Sequence, residues 1–149
     1  MATKLMTQVQ VRPALAADIP AIAGLIRSYV EQGRLLPRTL EEFDELLPTM
    51  FVAEHEGRVV GCAALEIYSR KLAEVRSLAV AMDAQNMGIG RKLVLACIDL
   101  ARDRNVLEVM AITSSDAFFM ACGFNYTLPG EKRALFIQTR DAAEMDEGF

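Results

Sequence analysis

The residues with the clearest chemical potential are Gln85-Asn86-Met87-Gly88-Ile89-Gly90, followed at once by Arg91 and Lys92. A glycine-bearing loop that opens a helix is a general device for holding anions. The first helical turn leaves its backbone N–H groups unpaired and pointing along the axis, and the helix dipole adds roughly half a positive charge there. Gly88 and Gly90 carry no Cβ, so a phosphate can approach the main chain closely. Arg91 and Lys92 in the first turn oppose the dipole unless an anion lies between them and it. The residues alone leave two readings open: a phosphate cradle, or a tight turn followed by solvated cations. The loop is not of the Walker type, because no Gly-Lys-Ser/Thr ends it, and Leu93 breaks a GxGxxG pattern.

Other chemistries find less support. The three cysteines, Cys62, Cys97 and Cys122, lie far apart in apolar surroundings and read as buried reduced thiols. The single histidine, His55, falls in Glu54-His55-Glu56-Gly57 and reads as an exposed turn residue. No metal site and no Cys-His catalysis are expected from that inventory. The net charge of -4 and pI near 5.1, without a Lys/Arg cluster, argue against a nucleic-acid partner. The longest apolar stretch, Val59 to Leu65, is too short to span a bilayer, and Met1 to Gln8 show no secretory leader. A cytoplasmic location and no membrane partner are therefore expected.

The elements that must position the loop are legible from periodicity. Val9 to Arg12 alternates like a strand. Asp18 reads as an N-cap, Pro20 fits the first turn, and Ile19, Ile22, Ala23, Ile26 and Val30 recur at helical spacing up to Gly33. Thr39 with Glu42 forms a capping box for a short second helix that Pro48 stops. Phe51 to Glu54 and Arg58 to Ile67 read as strands joined at Glu56-Gly57, and Glu74 to Ala81 as another. Leu93, Ala96, Cys97, Leu100 and Ala101 share one face of a helix after the loop. Val106 to Ile112 reads as a central strand buried on both faces. A short helix from Ser115 or Asp116 to Ala121 follows, then strands Phe124 to Tyr126 and Ala134 to Thr139. This order predicts an α+β (mixed α/β) fold with one dominant sheet, in a single domain over residues 1–140. A loose, acidic tail is expected over 141–149.

Several of these segments together resemble the GNAT family of N-acetyltransferases. Gln85 to Gly90 matches its Q/R-x-x-G-x-G/A signature, Val75 to Val80 its preceding strand, and Phe118-Phe119-Met120-Ala121-Cys122-Gly123-Phe124 its late helix ending in Gly-Phe. Asp18-Ile19-Pro20-Ala21-Ile22 resembles its first helix, and Val59 to Leu65 its third strand. Glu31 to Arg38, Gly61 to Leu65 and Ala73 to Val80 further resemble the acetyltransferase domain of N-acetylglutamate synthases, which act at the head of arginine biosynthesis.

The resemblance implies a mostly antiparallel sheet, splayed at an acetyl-CoA site and flanked by about four helices. It implies that the backbone of Asn86, Met87, Gly88, Ile89, Gly90 and Arg91, with Gln85 and Lys92 beside them, holds the CoA diphosphate. Leu78, Ala79 and Val80 would pair with the pantetheine arm. Glu74 is the implied base for the amine, and backbone N–H groups near Leu78 the implied oxyanion donors. Arg38, with the Leu36 backbone, is the implied carboxylate partner of a glutamate substrate, with Arg76 and Arg133 as further cations. The family's usual tyrosine acid is replaced here by Phe119, with Thr113, Ser114 or Ser115 as substitutes, and its late Arg-x-Ser pattern appears only as Arg140-Asp141-Ala142. Another amine or a protein N-terminus as acceptor, and a non-catalytic CoA-binding module, remain open readings; a homodimer is a further implication.

Overall fold

The computed structural model describes residues 8–127, 130–131 and 133–141. The chain forms two compact units, Met1–Thr113 and Ser114–Phe149. The first holds a five-stranded sheet in the order β1 (Gln10–Pro13), β2 (Met50–His55), β3 (Arg58–Ile67), β4 (Leu72–Val80) and β5 (Glu108–Met110). All neighbours are antiparallel except β4 and β5, which run parallel. Helices α1 (Ile19–Glu31), α2 (Leu40–Leu46) and α3 (Ile89–Asp103) complete this unit; α4 (Asp116–Ala121) belongs to the second. The mixed α/β reading is met.

Local chemistry explains the helix ends. α1 stops in a Schellman motif: Gly33 takes φ +70°, its N–H donates to the Val30 carbonyl, and the Arg34 N–H donates to that of Tyr29. The α2 capping box is formed as expected, with Glu42 N–H on Thr39 Oγ1 at 3.2 Å and Thr39 N–H on Glu42 Oε1 at 3.0 Å. Asp18 differs from expectation. Its carboxylate makes no cap bond to α1 but accepts from the Leu15 N–H at 2.7 Å and from both Nη atoms of Arg12 at 2.8 and 2.9 Å. The Arg12 guanidinium, with that backbone bond, holds the Asp18 carboxyl below its usual range against the opposing effect of burial. Arg12 also donates to Glu54 at 2.8 Å, so one guanidinium ties β1 to β2 and to the entry of α1.

The sheet is covered on both faces. Ile22, Ile26 and Tyr29 of α1 and Phe43 and Leu46 of α2 pack with Val52, Cys62, Ala64 and Ala79 in one cluster. The other face takes α3. A Cβ at Gly61 would lie 2.9 Å from Ile89 Cγ2 and 3.0 Å from Leu93 Cδ1, so glycine lets the first turn of α3 sit directly on β3. Cys62 and Cys97 are buried and reduced, and burial pushes both thiols up to about 12; Cys122 is also a buried thiol.

Three further expectations need correction. Burial on both faces belongs to β3, where Val60 to Leu65 are all buried, and not to the 106–112 segment. That segment yields only the short terminal strand β5, with Leu107 and Ile112 left exposed. Apolar composition was the only signal there, and it does not distinguish a central strand from an edge. Phe124 to Tyr126 and Ala134 to Thr139 do not form strands; Leu135, Phe136 and Ile137 are exposed. His55 is half-buried at the end of β2, and its Nε2 is buried without a hydrogen-bond partner among the described residues. The leader reading of residues 1–7 and the tail reading beyond Asp141 lie outside the described residues.

Candidate active site

The site is built around β4. β5 accompanies it only over Leu72↔Glu108, Ala73↔Val109 and Glu74↔Met110. From Val75 to Val80 the strand continues without a parallel neighbour, so the sheet opens directly after Glu74. On its other side β4 carries a bulge: Cys62 pairs with Ala79 and Ala64 with Arg76, leaving Ser77 and Leu78 against Ala63 alone. Such an insertion bends the strand and takes main-chain groups out of the ladder. Ser77 sits at φ +56°, a left-handed conformation that costs a non-glycine residue roughly 1 kcal/mol. Two contacts hold it there: Arg38 Nε donates to Ser77 Oγ at 2.7 Å, and the Cys62 thiol donates to the Ser77 carbonyl at 3.3 Å.

At the far end of the opening, Val80 turns its N–H and carbonyl away from β3 and toward Tyr29 of α1. Tyr29 Oη donates to the Val80 carbonyl at 2.8 Å and accepts from the Val80 N–H at 3.4 Å and from Gln85 Nε2 at 3.1 Å. Arg34 lies over the Tyr29 ring, 5.4 Å from its centroid. A cavity of about 360 Å³ adjoins this contact, lined by Leu25, Ser28, Tyr29, Val80 and Met82 among others.

The loop follows a single turn of 3-10 helix, Met82–Ala84. Arg58 of β3 pins that turn through Asp83 at 2.9 Å. Asn86 takes φ +66° and Gly88 φ +75°, so the backbone curls twice into left-handed geometry, the kind of concave nest that presents successive amides to an anion. Gly88 is the N-cap of α3 and supplies no side-chain cap; the first helical bond is Lys92 N–H to the Gly88 carbonyl at 3.2 Å. The amides of Ile89, Gly90 and Arg91 are therefore the uncapped donors of a helix fifteen residues long. Gln85, Asn86, Met87, Gly88, Arg91 and Lys92 are exposed, whereas Ile89 is buried and anchors the turn. Among the described residues neither Arg91 nor Lys92 enters an ion pair.

At the closed end of the opening lies a charged cluster. Glu74, 8% exposed, stands directly across the ladder from Glu66. Like charges placed opposite each other repel, and the chain answers with two donors. Arg76 Nη1 donates to Glu66 Oε2 at 2.7 Å, and Tyr68 Oη donates to Glu74 Oε1 at 2.6 Å. Burial disfavours the Arg76 charge, but Glu66, by hydrogen bond and by charge, outweighs this and raises its pKa above the ordinary value. The Tyr68 phenol is pushed up to about 12, by desolvation first and then by its bond to Glu74. The Arg38 side chain, only 8% exposed, reaches the same place from the connector before α2. Its pKa is lowered, chiefly by burial and next by the neighbouring charge of Arg76; Glu42 at 3.6 Å and Glu66 partly compensate.

Thus Glu74, Arg38 and Arg76 converge, while Leu78, Ala79 and Val80 run from them toward the 85–92 loop. Ala79 faces β3 opposite Cys62. Leu36 is 58% exposed in the connector. Arg133 belongs to the second unit and is exposed there. In that unit Phe119 is buried, packed edge-on against Phe118 and Phe124 with centroids 5.1 and 5.2 Å away. The sequence reading missed Tyr29, Glu66, Tyr68 and Ser77. Hairpin register could have found Glu66, since a turn centred on Arg70 sets it opposite Glu74. A serine at positive φ and a tyrosine reaching from another element leave no periodic trace.

Comparison with known proteins bears on the family and the fold. Residues 20–124 match the acetyltransferase (GNAT) family. The chain is 40% identical over 114 residues to an uncharacterised N-acetyltransferase of Chlorobaculum tepidum, covering 76% of this chain and 74% of that protein. It is 37% identical over 118 residues to an amino-acid acetyltransferase of Neisseria meningitidis, covering 78% of this chain and 27% of the relative. Its fold is similar to that of N-acetylglutamate synthase from Neisseria gonorrhoeae complexed with coenzyme A and N-acetyl-glutamate. The TM-score is 0.75 and the identity 30%, over 95% of this chain and 32% of that one. The chain thus spans about a third or less of the length of both Neisseria proteins. It belongs to the GNAT acetyltransferase family and is an N-acetyltransferase that uses acetyl-CoA.

Proposed function

We propose that the acceptor is the α-amine of an amino acid, with glutamate as substrate. The observation that carries this reading is the buried Arg38 guanidinium with Arg76 beside it, at the point where the sheet opens. Burial and then the Arg76 charge disfavour the Arg38 guanidinium, and Glu66 and Glu42 offset this only in part, so an incoming carboxylate would stabilise it. Arginine's planar fork suits a carboxylate ligand. The names of the meningococcal and gonococcal relatives support the same chemistry.

In this account the uncapped amides of Ile89, Gly90 and Arg91, together with the Asn86–Gly88 nest, hold the CoA diphosphate, and Gln85 and Lys92 flank it. The pantetheine arm adds along the open edge of β4 from Val80 toward Leu78, as a peptide adds to a sheet edge. At Val80 it must displace the Tyr29 hydroxyl. An α-ammonium group must lose a proton before it can attack; Glu74, at the closed end of the opening, takes that proton directly or through one water. The amine then attacks the thioester carbonyl carbon. The resulting oxyanion faces main-chain N–H groups at the Ser77-Leu78 bulge, dipoles fixed before the reaction begins. The C–S bond breaks, the CoA thiolate departs, and the extra proton on the new amide nitrogen passes through water to the thiolate. With a thiol pKa of about 8.5 it is a tolerable leaving group without a tyrosine acid. Arg38 and the Leu36 backbone bind one carboxylate of glutamate.

Steady-state turnover of acetyl-CoA with a panel of amino acids and simple amines tests the assignment. Selective acetylation of glutamate is expected. Turnover confined to amines that lack a carboxylate would remove it.

A further inference from the structure

We propose that Tyr68 is a positioning residue for the reaction: its hydroxyl fixes the Glu74 carboxylate in the orientation that accepts the substrate proton. The inference rests on the reading of Glu74 as the base and deepens it. Tyr68 lies in the short connection that returns β3 to β4; its N–H and that of Ser69 both donate to the Leu72 carbonyl, at 3.0 and 3.2 Å, so the backbone of this turn is tied to the start of β4. From there the phenol reaches back over the strand end. Its oxygen stands 2.6 Å from Glu74 Oε1 and 3.2 Å from Glu66 Oε2. A phenol has one proton, and the shorter distance assigns it to Glu74. Glu66 has its own donor in Arg76 at 2.7 Å.

The arrangement solves a definite problem. Without Tyr68 the Glu74 carboxylate would sit buried across the ladder from a second carboxylate, with no side-chain donor of its own among the described residues. It would then swing toward Arg76, which Glu66 already holds. With Oε1 committed to the phenol, Oε2 has no side-chain donor among the described residues. The charged and titratable groups around Glu74 are Tyr68, Glu66 of β3, Arg76 of β4, and, further out, Arg38 and Glu42. Of these only Tyr68 touches it by a hydrogen bond.

The test is the pH dependence of kcat/KM for Tyr68→Phe, which removes the hydroxyl alone from a half-exposed ring, measured beside Glu74→Gln. For Tyr68→Phe, kcat should fall roughly tenfold at neutral pH and recover in part above pH 9, with KM for acetyl-CoA unchanged. Glu74→Gln should follow the fraction of free amine, losing most activity at neutral pH and recovering toward about pH 9.5. A Tyr68→Phe profile that overlays the wild type, or is lowered equally at every pH, overturns the positioning role even where Glu74→Gln is inactive. A Glu74→Gln enzyme with the wild-type profile overturns the base assignment itself, and these results are distinguishable.

Discussion

The hydroxyl of Tyr29 and the backbone of Val80 form a closed pair: the phenol donates to the Val80 carbonyl at 2.8 Å and receives the Val80 N–H at 3.4 Å. Those two groups are the ones that an added strand, or a pantetheine arm, must use on the open edge of β4. A side chain thus satisfies the edge of the strand. If the pantetheine arm adds there as proposed, part of the free energy of binding CoA goes into opening this contact, and apparent affinity scales with the open fraction. Tyr29→Phe should bind CoA about three- to tenfold more tightly, since a net hydrogen bond is worth roughly 1 kcal/mol. Calorimetric titration of CoA checks this; weaker binding by the variant would show that Tyr29 supports the loop through Gln85 instead.

Arg38 should govern the acceptor rather than the acetyl donor. Arg38→Ala should raise KM for glutamate about 30- to 100-fold, the equivalent of roughly 2–3 kcal/mol for a charge-assisted fork, with KM for acetyl-CoA little changed. Arg38→Lys keeps the charge but loses the fork and should fall between the two. Steady-state kinetics with each substrate varied in turn distinguishes these cases. Equal KM for glutamate in all three proteins would remove Arg38 from the carboxylate site.

Asp18 makes stability depend on acid. Its carboxyl is held below the ordinary range, first by the hydrogen bonds from Arg12. A group with a depressed folded-state pKa contributes stability that is complete above the unfolded value, about 4, and is lost as pH falls through the folded value. Asp18→Asn should cost about 1–3 kcal/mol at pH 7, and the gap from the wild type should narrow steadily below about pH 4. Urea unfolding at several pH values measures it; a gap independent of pH would mean that the Arg12 pair contributes nothing.

Gly61 links the fold to the loop. A Cβ there would lie 2.9 Å from Ile89 Cγ2, 3.0 Å from Leu93 Cδ1 and 3.3 Å from the Ala79 carbonyl oxygen. Gly61→Ala should cost about 1–2 kcal/mol through overpacking and weaken CoA binding by lifting the first turn of α3. Thermal unfolding and CoA titration report the two effects separately.

Much of this arrangement was legible in the chain. The Thr39-Glu42 capping box, the Glu56-Gly57 turn, where both residues take positive φ, and the stripe on α3 follow from local rules that act within a few residues. Glu74, Arg38 and the 85–92 loop were named from resemblance, and the structure brings Glu74 and Arg38 into one cluster. What the sequence hid depends on long-range geometry. The Ser77 bulge arises from register between β3 and β4, and the hydroxyls of Tyr29 and Tyr68 act on partners set by how α1 and the hairpin fold back. Asp18 has the residue type of a cap, but a bidentate arginine from β1 competes for it and wins. The 106–112 segment was misplaced because a run of apolar residues says nothing about which side of a sheet ends there.

The central claim is that main-chain amides at the start of α3 capture the CoA diphosphate. Isothermal titration of CoA into the wild-type protein and into Gly88→Val tests it most directly. A β-branched residue strains the φ +75° cap and puts methyl groups where the phosphate approaches. The account predicts one-to-one exothermic binding by the wild type and a loss of at least about 30-fold in the variant, combining strain with at least one lost charge-assisted bond. No heat with the wild-type protein, or equal affinity in both, would contradict it.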